Sequence, residues 1–85
     1  MASYKVVIAS SAIRELATIP KKDRARIGSR MKLLAVDPRP PGHEKLTGLE
    51  RYRVRQGDYR VVYTIDDSGH RVDVVKIGHR KEVYR

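Results

Sequence analysis

Arg53, Arg55 and Arg60 flank a Gln56-Gly57-Asp58 turn. Arginine carries a planar fork of donors that matches phosphate oxygens two at a time. Residues i and i+2 of a strand point to the same side, so Arg53 and Arg55 share a face, and Arg60 lies near them across a hairpin. Three guanidiniums this close repel one another unless an anion bridges them. The spacing therefore points to a phosphate-binding patch. Arg51 has a second reading, since a lone arginine on an edge strand also keeps foreign strands from pairing there.

A second basic segment closes the chain, with Lys76, Arg80, Lys81 and Arg85 set against Glu82. His79 lies in this segment and is the histidine placed for acid–base work. Tyr84 stands among cations near the end of the chain, where it could stack on a base or set a phenol beside a phosphate. A tail folded back over the sheet would bring His79, Arg80 and Tyr84 onto the same surface as the arginines. His43, in a proline loop, and His70, in a turn, read as surface residues. Lys21, Lys22, Arg24, Arg26, Arg30 and Lys32 spread along a helix face and serve solubility or a general attraction to RNA.

The elements that must position these groups are legible from periodicity. Tyr4 to Ile8 is β-branched and short, which predicts a strand. Ser10 or Ser11 offers a helix cap, with Glu15 expected near the first turn. Pro20 ends that helix and starts another, in which Ile27, Met31 and Leu34 recur at helical spacing. The segment Asp37-Pro38-Arg39-Pro40-Pro41-Gly42 stops the helix. It opens an extended loop that reaches Lys45-Leu46-Thr47-Gly48, after which the period changes to two, and strands are predicted near 51–55, 59–65 and 71–77, with turns at Gln56-Gly57-Asp58 and Asp66-Asp67-Ser68-Gly69. The expected fold is α+β with the order β-α-α-β-β-β: an antiparallel sheet with an N-terminal helical hairpin on one face. Tyr59 and Tyr63 have the same parity on one strand, so one or both are expected to pack against the helices, and Tyr52 is expected in the core as well.

Composition narrows the function. The chain has 85 residues, which predicts a single domain over 1–85 with one core. There are 19 Lys and Arg against 10 Asp and Glu, a net charge of +9, which favours a polyanionic partner. With no cysteine, neither disulfides nor thiolate metal sites can form. No apolar run approaches the ~20 residues of a membrane span, and the first residues do not lead into a signal-peptide core. The expected location is the cytoplasm. No metal-ligand spacing, Walker loop or nucleophile elbow is present, and no cofactor is expected.

Four segments together resemble the RelE-type toxins of the RelE/ParE superfamily, from toxin–antitoxin modules. They are Asp37-Pro38-Arg39-Pro40, Lys45-Leu46-Thr47-Gly48, the run from Tyr52 to Tyr63, and the tail from Ile77 to Arg85. The resemblance implies a RelE-like microbial RNase fold and a metal-independent, ribosome-dependent mRNA endonuclease. Such a toxin cuts the codon in the A site by attack of the ribose 2′-OH on its own 3′-phosphate, and so inhibits translation. The family's site positions fall on Arg53, Arg55, Arg60, Arg80 and Tyr84. Some members carry lysine where this chain has Arg53 and Arg55, and arginine cannot surrender its proton to act as a base. The resemblance therefore assigns Arg53, Arg55 and Arg60 to clamping the phosphate, Arg80 to the leaving oxygen, and His79 or Tyr84 to proton transfer. Arg51, Lys76, Lys81, Arg85, Lys21 and Lys22 would contact RNA or ribosome. The implied partners are the ribosome with its mRNA and a RelB-like antitoxin. The alternatives are a ParE-like inhibitor of DNA gyrase, a non-catalytic RNA-binding module, or an inactive relative.

Overall fold

The computed structural model describes residues 3–82. The order is β1 (Lys5–Ile8), α1 (Ser10–Ala17), α2 (Lys21–Leu33), β2 (Glu44–Lys45), β3 (Tyr52–Gln56), β4 (Tyr59–Asp66) and β5 (Arg71–His79). All five strands form one sheet, ordered β1-β5-β4-β3-β2. The predicted α+β order stands, and the sheet adds two features to it. β2 is a two-residue strand inside the expected loop. β1 runs parallel to β5, with Lys5 opposite Arg71, so the sheet is mixed rather than wholly antiparallel.

Local chemistry explains the helix ends. Ala9 donates its N–H to the Val74 carbonyl and accepts from Ile13, so the chain passes directly from strand pairing into α1. Ala9 is therefore the cap residue, and neither Ser10 nor Ser11 takes that role. Pro20 caps α2, where the N–H it lacks is not needed, and its carbonyl accepts from Arg24. The proline loop is pinned by the Tyr63 hydroxyl, which donates to the Pro38 carbonyl at 2.7 Å.

The predicted stripe of Ile27, Met31 and Leu34 is buried against Val54, Val61, Tyr63, Val72, Val74 and Ile77 of the sheet. Tyr52 and Tyr59 pack against this core, as expected from their parity. The core lies between the helices and one face of the sheet. Register places Arg53, Arg55, Arg60 and Val62 on the other face, which the helices leave open. A register shift in β4–β5 falls between Val62 and Tyr63. No helix among the described residues is long and apolar enough to cross a membrane.

Candidate phosphate-binding site

The β3–β4 hairpin assembles the site. Gln56 pairs with Tyr59 around a two-residue loop. Gly57 has φ 61° while Asp58 does not enter the positive region, the pattern of a type II′ turn that suits hairpin twist. This tight loop sets Arg55 directly opposite Arg60 and Arg53 opposite Val62. The three arginines thus meet on the open face, as predicted. On its other flank Arg60 faces Gly78 of β5, which carries no side chain to cover it.

An acid that sequence reasoning missed sits among them. Glu44 stands opposite Arg53 in the β2–β3 register. Its Oε2 accepts from Arg53 Nη2 at 2.6 Å, and its Oε1 accepts from Arg55 Nη2 at 3.2 Å. The bond from Arg53 above all holds its carboxyl below the usual carboxylate range; burial opposes this, and the charges of Arg53, Arg55 and Arg60 add to it. β2 is too short to show a period, so nothing local marked Glu44 as facing the arginines. The available signal was its sign, because opposite charges favour cross-strand pairing. Arg60 donates instead to the carbonyls of Gly57 and Tyr59, at 3.2 and 3.0 Å.

The second basic segment is placed only in part with the first. Arg80 is held at the hairpin tip, where its N–H donates to the Asp58 carbonyl at 2.8 Å and its Nε lies 3.8 Å from the Asp58 carboxylate. His79 does not join the arginines. It pairs with Tyr59, whose face is that of the core, and its ring meets Tyr59 edge-on at 5.8 Å. Strand alternation is the reason: Arg60 and Tyr59 are neighbours, and neighbours face opposite sides. His79 Nδ1 accepts from the Lys81 N–H at 3.2 Å, and the ring lines a cleft of about 690 Å³ with α1 residues Ser11, Arg14 and Glu15. Tyr84 and Arg85 lie outside the described residues.

The remaining expected contacts divide as follows. Lys76 is engaged by Glu15 at 3.1 Å. Glu15 also accepts from the Ile77 N–H, so it caps the β5 edge that β1 leaves uncovered and does not serve the first turn of α1. Arg51 and Lys81 are exposed, as are Lys21 and Lys22 at the start of α2, away from the arginine face. His43 is half-buried, because its Nδ1 bonds the Pro40 carbonyl and its ring packs near Tyr52, so it is not the surface residue expected. His70 is exposed, as expected. Among the described residues no group of three or more His, Asp or Glu side chains could hold a metal ion.

A mixed sheet with a helical hairpin on one face and an arginine cluster on the other defines a recognisable class. Residues 6–84 match the family described as ParE toxin of the type II toxin–antitoxin system, parDE. The chain is 38% identical over 84 residues to Toxin RelE of Mycobacterium tuberculosis, covering 96% of this chain and 87% of that one. Its fold is similar to the toxin–antitoxin complex RelBE2 of the same organism, with TM-score 0.83 and 26% identity over 92% of this chain and 99% of that one. It is equally similar to the RelE–RelB complex of Pyrococcus horikoshii, with TM-score 0.83 and 28% identity over 95% and 99%. The chain belongs to the RelE/ParE toxin superfamily, as a RelE-family toxin of a type II toxin–antitoxin module.

Proposed function

We propose that this toxin is a ribosome-dependent mRNA endonuclease that acts in the cytoplasm and inhibits translation. The observation that carries the reading is the meeting of Arg53, Arg55 and Arg60 on one open face. In the reaction the 2′-oxygen bonds to phosphorus and the bond from phosphorus to the 5′-oxygen breaks. The 2′-hydroxyl loses a proton, and the 5′-oxygen gains one. The products are a 2′,3′-cyclic phosphate and a 5′-hydroxyl. Arg53, Arg55 and Arg60 hold the phosphate and offset the charge that builds on it. Arg80, next to the hairpin tip, hydrogen-bonds the leaving oxygen. Arg51 and Lys81 add phosphate contacts, Arg85 contributes a further cation to the RNA, and Lys21 and Lys22 contact ribosomal RNA from the helix side. Lys76, opposite Val62 in the register, contacts RNA from the arginine face after leaving Glu15. Holding the 2′-hydroxyl in line supplies much of the rate.

Proton transfer falls to Tyr84 or His79. His79 must swing toward the arginine face to take part. Its Nδ1 is already an acceptor, so the neutral ring carries its proton on Nε2. A RelB-like antitoxin is the neutralising partner, by analogy with the RelB complexes of the relatives.

Primer extension on a defined mRNA, with and without programmed ribosomes, tests the reading. Cuts within the A-site codon that require ribosomes are expected. Arg53→Ala and Arg60→Ala should each slow cutting by about 10²–10³. The match to the ParE toxin family favours gyrase inhibition as a second reading. Loss of supercoiling by purified gyrase, with no cut mRNA, would establish it.

A further inference from the structure

The arginine face already holds an anion of the protein's own. The Glu44 carboxylate gives one oxygen to Arg53 at 2.6 Å and the other to Arg55 at 3.2 Å. A phosphodiester held by the same two guanidiniums would use its two unbridged oxygens in the same way. We propose that Glu44 is an internal competitor for the substrate phosphate: it keeps Arg53 and Arg55 aligned in the free toxin and gives them up when RNA binds. The inference rests on the reading of these arginines as a phosphate clamp.

Exposure favours exchange over a permanent structural pair. The side chains of Glu44 and Arg55 are 44% and 58% exposed, so water can solvate both while the partners change. Arg53, at 19%, is the more enclosed, and it stays under whichever anion occupies the clamp. Half-exposed ion pairs are held weakly, whereas a phosphodiester brings its charge to all three arginines. Among the described residues the Arg60 guanidinium bonds the backbone carbonyls of Gly57 and Tyr59 rather than an acid, so it is available to the incoming anion. A carboxylate gripped by guanidiniums is also a weak proton acceptor, which argues against Glu44 as the base.

The test is binding of a trinucleotide whose 2′-hydroxyls are replaced by hydrogen, so that it cannot be cut. Titrations of the full chain follow backbone amide shifts for wild type, Glu44→Gln and Arg53→Gln. Glu44→Gln should bind about three- to tenfold more tightly, the range that one or two half-exposed ion pairs supply. Arg53→Gln should bind more weakly. If Glu44→Gln does not fold, Glu44→Asp takes its place, because its shorter side chain cannot span both guanidiniums, and it should also bind more tightly. A folded Glu44 variant that binds no more tightly than wild type overturns the proposal. So does a Glu44→Gln variant that loses ribosome-dependent cutting more than about a hundredfold without tighter binding, which would make Glu44 the proton acceptor. Tighter binding by Glu44→Gln in a toxin that never cuts mRNA supports the competitor and defeats the endonuclease reading. Binding that ignores Arg53→Gln overturns the clamp, and the competitor with it.

Discussion

Asp67 shows how a single exposed carboxylate can tie three parts of the chain. Arg39 donates to both its oxygens, at 3.1 and 2.9 Å, and the Tyr4 hydroxyl donates at 2.7 Å. The bond from Arg39 first, then that from Tyr4, brings the Asp67 carboxyl down to about 2 from an ordinary value of 3.8. The folded form therefore prefers the ionised acid more than the unfolded chain does. The resulting stability is present above about pH 4 and is lost as pH falls through about 2. Urea midpoints recorded across that window should drop in wild type. Asp67→Asn should start lower at pH 7 and change less with acid, because the group that titrates is gone.

The ends and edges of elements carry the next level of stability. Tyr63 is fully buried, and its hydroxyl holds the Pro38 carbonyl across 25 residues of sequence. Tyr63→Phe leaves that carbonyl without its donor and should cost about 1–3 kcal/mol in urea denaturation. Burial pushes the Tyr63 phenol up to about 12 from 10.0, so its stabilisation is complete below pH 10 and lost as pH rises toward 12. On β5, Glu15 takes the Ile77 N–H and the Lys76 ammonium at the edge. Glu15→Ala should speed hydrogen exchange at the Ile77 amide by at least tenfold, with little effect at Val72 and Val74, which the β1 pairing protects.

Across the whole molecule, the net charge of +9 is distributed over two unlike surfaces. Arg53, Arg55 and Arg60 gather on the open sheet face, whereas Lys21 and Lys22 sit on the helix side. Each phosphate neutralised on a single strand contributes about −0.7 to the slope of log affinity against log salt. An uncut trinucleotide has two internucleotide phosphates, so on the arginine face it should give a slope no steeper than about −1.4, and Arg53→Gln should reduce its magnitude. Replacing Lys21 and Lys22 by glutamine should leave the trinucleotide slope unchanged and weaken only binding to the ribosome. Titrations at several salt concentrations separate the two surfaces.

Much of this arrangement is written in short-range patterns. The helical stripe of Ile27, Met31 and Leu34, the alternation of Arg53 and Arg55, and the turn at Gly57 each depend on neighbours a few residues apart. Backbone geometry converts such spacing into a face without reference to the rest of the chain. What no local pattern carries is register between distant segments. The parallel pairing of Lys5 with Arg71 spans nearly the whole sequence, and a four-residue strand cannot announce its partner. Glu44 meets Arg53 and Arg55 only because a two-residue strand docks on β3 at one register. Tyr59 draws His79 to the helix side for the same reason, although Arg60 and Arg80 are each one residue away. Strand pairing is set by the core that both strands help to bury, and a shift of one residue reverses every side chain. The chain's own spacing thus carried Arg53, Arg55 and Arg60 to one surface, while long-range packing chose the acid that meets them and turned the histidine away.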